Sequence, residues 1–177
     1  MSDYSTLKEK LKEILEGEIF DDEETLKLYS TDASLFAIKP QLVVWPKNSS
    51  DIQKIVKCVN ENKTQENRWS PELSITVRAA GSCMSGGSLN ESIILDVSKH
   101  INHFEVKKLD KTATVEPGVF YRDFEVETLK NNLILPCFTA SKNLCALGGM
   151  MGNNCAGEKT LRYGKMENYV KELNIIY

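Results

Sequence analysis

The chain has 177 residues, 41% apolar and 27% charged, with a formal net charge of −3; this fits one ordinary globular domain or two small ones and gives no reason to expect a nucleic acid or an acidic membrane as partner. No stretch approaches the roughly 20 apolar residues that span a bilayer as a helix, and the N-terminus lacks the apolar core of a signal peptide. Five cysteines (58, 83, 137, 145, 155) form no C-x-x-C pair and match no zinc or iron–sulfur spacing, so they read as reduced thiols of a cytoplasmic protein without a metal site.

In chain order, residues 5–16 have helical spacing, with Leu7, Leu11, Ile14 and Leu15 on one face and Ser5 or Thr6 as cap. The acidic run Asp21–Glu24 suits a solvated turn or the first turn of a helix, where the macrodipole favours negative charge, and a second short helix starts at Thr25. Residues 41–45, ended by Pro46, form an apolar run expected as a buried strand, and Ser49 opens a helix through about Asn62. Residues 64–71 are polar and read as a loop. Strands are expected at 74–78 and 92–97, a hairpin at 103–106 and 112–115, a helix at 120–131, a short extended piece at 133–135 and a strand from Val170 to the last residue.

Seven of the ten glycines fall in two windows, Gly81–Gly87 and Gly148–Gly157. Glycine removes the side chain and frees φ, so backbone N–H groups can crowd an anion such as a phosphate. The first window, Gly81-Ser82-Cys83-Met84-Ser85-Gly86-Gly87-Ser88, imitates the phosphate-binding G-x-x-x-x-G-K-[ST] loop. It has Gly87 at the lysine position, and a strand rather than a helix follows. The dinucleotide fingerprint G-x-G-x-x-G is absent. What remains is strand, glycine-rich turn, strand. Arg78 is placed to pair with a phosphate or carboxylate, and Ser82 and Ser85 offer hydroxyls; a plain tight turn is the alternative. The second window has neither helical nor strand period and reads as a long loop, and such loops are more often functional than structural. Its Asn153 and Asn154 either brace the backbone or meet a ligand.

These pieces resemble the FAD-binding domain of the vanillyl-alcohol oxidase type, also called PCMH-type. Within it they are similar to D-lactate dehydrogenases and glycolate oxidase subunits that act on 2-hydroxy acids. The resemblance runs from Tyr29-Ser-Thr-Asp-Ala-Ser34 through Leu42–Pro46, Ser49–Ile52, Arg78–Gly87, Leu95–Ser98, Val115–Val119, Pro136 with Ser141, Leu147–Gly149 and Gly152–Asn154 to Arg162–Gly164. It implies an α+β fold of two subdomains with the second one truncated: an N-terminal helical segment over 1–34, a first FAD-binding subdomain over 35–115 and the start of a second over 116–177. It also implies that FAD lies between them. The turn matching Ala79, Ala80, Gly81, Ser82, Cys83, Met84, Ser85, Gly86 and Gly87 would wrap the pyrophosphate, with Pro117 and Gly118 near the adenosine part. The stretch from Pro136 to Ser141, with Leu147, Gly148, Gly149, Gly152, Asn153, Asn154 and Gly157, would line the ribityl and isoalloxazine side.

This chain departs from the family's usual Gly-Gly-Gly-Thr run, carrying Ala79-Ala80-Gly81-Ser82 instead, and it has Phe138 and Thr139 where an acidic residue and a proline are usual. Members with covalent flavin carry histidine where this chain has Ser82, so the FAD is expected to be non-covalent. The resemblance implies hydride transfer from a 2-hydroxy acid to FAD, with the catalytic residues in a cap domain or a second subunit. A non-catalytic flavin-binding subunit is the alternative. His100 and His103, in a turn after a strand, read as surface residues rather than bases.

Overall fold

The computed structural model describes residues 3–62 and 73–176. The expected loop at 64–71 lies outside the described residues. The elements run α1 (Asp3–Ile14), β1 (Glu18–Phe20), α2 (Glu23–Leu28), β2 (Leu42–Trp45), α3 (Ser49–Asn62), β3 (Ile75–Arg78), β4 (Ile93–Asp96), β5 (Phe104–Lys107), β6 (Thr112–Val115), α4 (Tyr121–Lys130), α5 (Leu147–Gly152), α6 (Thr160–Tyr163) and a 3-10 turn over Met166–Tyr169.

Four strands form one sheet in the order β1-β2-β4-β3, with β1 antiparallel to β2 and the other two pairings parallel. Strand alternation sends neighbouring side chains to opposite faces. Leu42, Val44, Ile93 and Leu95 meet Leu7 and Leu11 of α1 and Ile55, Cys58 and Val59 of α3. Val43 and Ile94 point the other way, onto Leu26 and Tyr29, with Phe20 and Trp45 beside them. Both faces of the central strands are covered, as continuous apolar runs in parallel sheets require. The N-terminal helix therefore shares a core with the sheet.

A second core gathers Val119, Tyr121, Phe124, Cys137, Phe138, Cys145, Leu147, Met150 and Met166. The β5–β6 hairpin packs Phe104, Val106 and Val115 against it, although the hairpin precedes residue 116.

Besides the short helix α6 and the 3-10 turn over Met166–Tyr169, which were not expected, three elements differ from the sequence expectation. The glycines at 148–152 lie in helix α5 rather than in a loop. Tertiary packing holds it: Leu147 and Met150, one turn apart, are buried, and the Leu147 and Gly148 N–H groups donate to the Val119 and Pro117 carbonyls at 2.8 and 2.9 Å. The final segment forms no strand over Val170–Ile176, because among the described residues nothing pairs with it. Strand β1, only three residues long, was not foreseen.

The β1 connection depends on one buried carboxylate. Asp51 is fully buried and accepts from the N–H groups of Glu16, Gly17 and Lys47 at 3.1, 3.0 and 3.0 Å. Asp51→Asn keeps one oxygen but turns an NH2 group toward at least one of these donors. It is expected to cost about 2 kcal/mol in urea unfolding, and a change under 0.5 kcal/mol would count against this role.

Candidate cofactor site

The parallel pairing of β3 with β4 decides what the first glycine window is. A tight hairpin turn joins antiparallel strands, whereas residues 79–92 carry the chain from the end of β3 back to the start of β4. The window thus lies beyond the carboxyl ends of parallel strands, where open sheets with helices commonly bind ligands.

A cavity of about 390 Å³ opens there, within the usual size of small-molecule sites, roughly 300–1,000 Å³. One wall is Val77, Ala79, Ala80, Gly81, Ser82, Cys83, Gly87, Ser88 and Val97; the other is Pro117, Thr139, Ser141, Cys145, Ala146, Gly148, Gly149, Met150, Gly152, Asn153 and Cys155. The two glycine windows, more than sixty residues apart in sequence, therefore face each other.

The wall is built from small side chains and free donors. Among the described residues, no protein acceptor takes the N–H groups of Ala79, Ala80, Gly81, Ser82, Cys83, Met84 or Gly149. A Cβ added at Gly149 or Gly152 would meet nothing within 4 Å. No Asp or Glu lines the cavity. Unpaired N–H groups around a space free of acid suit an anion with small side clearance, such as the pyrophosphate of FAD.

The remaining expected residues have other positions. Arg78 is not on the cavity wall, and its guanidinium lies against Gly81, where an added Cβ would come within 2.6 Å of Nη2. Its Nη1 donates to the Thr31 carbonyl at 2.9 Å and the Tyr29 carbonyl at 3.4 Å, and its charge lies 5.1 Å from the centre of the Tyr29 ring. Met84 is exposed, and Ser85 bonds Cys83. Gly86 has φ +78° and sits on Phe36. Gly118 donates to the Ile101 carbonyl at 2.8 Å, Leu147 is in the second core, and Pro136 precedes the wall residues Thr139 and Ser141 without joining them. Asn154 adopts φ +42° and exchanges bonds with Glu167: its Nδ2 donates to a carboxylate oxygen at 2.8 Å, and its Oδ1 accepts the Glu167 N–H at 3.0 Å. The Gly157 Cα faces the Phe138 carbonyl so closely that any Cβ would collide with it.

Sequence reasoning missed Val77, Ser88, Val97, Cys145 and Ala146 on the wall, while Thr139, Met150 and Cys155 fall within the stretches 136–141 and 148–157 expected on the flavin side. The Leu147–Met150 spacing was the available signal for α5, and hence for which residues of that stretch turn inward. Phe138, at the family's acidic position, is buried beneath two ammonium groups, those of Lys142 and Lys159 at 4.9 and 5.1 Å from its ring centre.

The cavity thiols differ in their electrostatics. The Ser85 hydroxyl, with the Ser85 and Gly87 N–H groups, holds the Cys83 thiol below its ordinary pKa. Burial, with Cys137 and Cys145 nearby, pushes Cys155 up to about 11. The histidines lie away from the site: His100 meets Glu18 at 2.7 Å, and the exposed His103 meets Glu116 at 3.1 Å. Among the described residues, no group of three or more His, Cys, Asp or Glu is arranged to hold a metal, and no helix is long and apolar enough to cross a membrane.

A glycolate oxidase subunit, GlcD, of Bacillus subtilis is 29% identical over 174 residues, covering 96% of this chain and 35% of that protein. A D-2-hydroxyglutarate dehydrogenase of Haemophilus influenzae is 28% identical over 162 residues, covering 91% of this chain and 15% of that protein. The chain thus spans about a third or less of the curated relatives it matches. Among solved structures, an alkyldihydroxyacetonephosphate synthase superposes with a TM-score of 0.77 at 18% identity, over 94% of this chain and 32% of that one. The 6-hydroxy-D-nicotine oxidase of Arthrobacter nicotinovorans gives 0.69 at 22% identity, over 85% and 31%. At such identities the structural likeness shows the fold. Residues 40–177 match the family described as FAD binding domain, and with that match over most of its length the chain belongs to this family of FAD-binding domains.

Proposed function

We propose that FAD lies in the cavity between the two glycine windows, held without a covalent bond, and that the chain serves a flavin-dependent oxidation of a 2-hydroxy acid of the D-lactate or glycolate type. The observation that carries the reading is the row of unpaired N–H groups from Ala79 to Met84, set across open space from Gly149 and Gly152. In this reading the N–H groups of 79–84 take the pyrophosphate, while Ser141, Gly149, Gly152 and Asn153 border the ribityl and isoalloxazine side. The subdomains meet near residues 115–118. When bound, FAD supplies the hydride acceptor, and the protein's part is to bind and orient it. The expectation of non-covalent attachment rests on Ser82 standing where members with covalent flavin carry histidine. The five free thiols suit a reducing compartment such as the cytoplasm.

The wall holds no Asp, Glu, His, Lys or Arg that would serve as general base. The acid–base group then comes from a cap domain or a partner subunit, and by itself the chain is a flavin-binding module. Purified protein is expected to take up one FAD, to show flavin absorption bands and to release unmodified FAD on denaturation. It should turn over D-lactate or glycolate with an artificial acceptor no faster than free FAD does. Colourless protein that takes up no added FAD would overturn the cofactor reading, and flavin that stays attached after denaturation would overturn the non-covalent one.

A further inference from the structure

Behind the first glycine window lies a loop that does not line the cavity. Residues 30–38 close on themselves, with the Ile38 N–H donating to the Ser30 carbonyl at 2.8 Å and an antiparallel bridge between Thr31 and Ala37. This loop grips the window along its length. It receives Arg78 on the Thr31 carbonyl, and the Ala33 N–H donates to the Gly81 carbonyl at 3.1 Å. Ser88 Oγ donates to Asp32 Oδ2 at 2.8 Å, while the other Asp32 oxygen accepts the Ser34 N–H at 2.8 Å. Phe36 supports Gly86.

The window needs such a support. Gly81 and Gly86 both have positive φ, and the N–H groups that would brace a self-contained turn are unpaired. A segment so free costs entropy to order when a ligand binds, unless something else fixes its shape beforehand. Asp32 is suited to do so. Its partner Ser88 is buried although Asp32 itself is part-exposed, and against the opposing effect of burial the hydrogen bonds from Ser34 and Ser88, with the Arg78 charge as a smaller contribution, hold its carboxyl below the usual carboxylate range.

We propose that Asp32 is a positioning residue, which acts through Ser88 and the 30–38 loop to hold the glycine window in its phosphate-receiving shape, and that Arg78 serves this loop rather than the phosphates. The proposal rests on the FAD reading of the cavity. The test uses the full chain, FAD titration by flavin fluorescence, the melting point of cofactor-free protein, and amide exchange at Ala33 and Leu89, whose N–H groups bond the Gly81 and Gly86 carbonyls.

Asp32→Ala is expected to weaken FAD binding about 10-fold or more and to speed exchange at both amides, with the melting point near that of the wild type. Asp32→Asn, which keeps an oxygen acceptor, should restore most of the affinity. Wild-type affinity in Asp32→Ala, or an affinity loss that Asp32→Asn does not recover, would overturn the proposal. If the wild type itself binds no FAD, the cofactor reading falls, and the exchange data alone decide the positioning role: unchanged exchange in Asp32→Ala ends it. If Asp32→Ala does not fold, Ser88→Ala carries the same comparison, and wild-type affinity and exchange there would overturn the proposal.

Discussion

Gly149→Leu is expected to separate stability from cofactor binding by moving them in opposite directions. Gly149 lies inside α5 with an ordinary helical backbone, and a Cβ there touches nothing. Replacing a helix-interior glycine with a good helix former stabilises by about 1 kcal/mol, so cofactor-free protein should melt at the same temperature or slightly higher. The same side chain would project into the space between the two glycine windows. FAD affinity should therefore drop about 100-fold, equivalent to about 2.8 kcal/mol. Equilibrium dialysis against FAD, paired with thermal melts of the cofactor-free protein, reads both quantities. If affinity stayed within threefold of wild type, the α5 side of the cavity would not be where the cofactor lies.

Gly118→Ala should damage the fold itself. A Cβ at this position would lie 2.3 Å from the Val97 carbonyl oxygen, 2.5 Å from that of Ile101 and 2.8 Å from the Ser98 Cα. All three are backbone atoms, so no side-chain rotation relieves the contact, and the turn after β4 must shift. Overpacking that displaces backbone costs about 3 kcal/mol, which for a chain of this size lowers the melting temperature by roughly 6–12 °C. Urea denaturation measures it directly, and a loss below 1 kcal/mol would mean that the turn yields easily.

The contrast between these two glycines shows what a sequence can disclose. Gly149 falls in a glycine-rich window and Gly118 follows Pro117 outside it, and the resemblance groups them as cofactor contacts. Their physical roles differ: Gly149 leaves room for a ligand, and Gly118 leaves room for the protein's own backbone. Nothing in the residue type separates the two cases, because both depend on what stands opposite after folding. The same holds for Arg78. Its position at the end of a strand was legible, but the direction of its guanidinium depends on the Tyr29 and Thr31 carbonyls, almost fifty residues earlier.

The periodic elements were the most legible. The continuous apolar run of Leu42–Trp45 announces a strand covered on both faces, the helical stripe of α3 states which of its faces is buried, and the core follows them. Helix α5 was hidden because three of its six residues are glycine, so its local preference opposes the helix that packing imposes. Strand β1 was hidden because three residues carry too little pattern to distinguish a strand from a loop, and its partner β2 is what defines it.

The two walls of the cavity rest on different cores. One hangs from the parallel sheet, the other from the packing around Tyr121 and Met150, and they are tied by backbone bonds such as Gly118 to Ile101. A sub-global opening at this seam would erase the binding site while leaving each core intact. Bound cofactor opposes that opening by mass action, by about 2.7 kcal/mol when free cofactor is a hundredfold above its dissociation constant. Ligand thereby strengthens the seam, so proteolysis near residues 115–118 is expected to slow as cofactor is added, which would report occupancy without any measurement of the flavin.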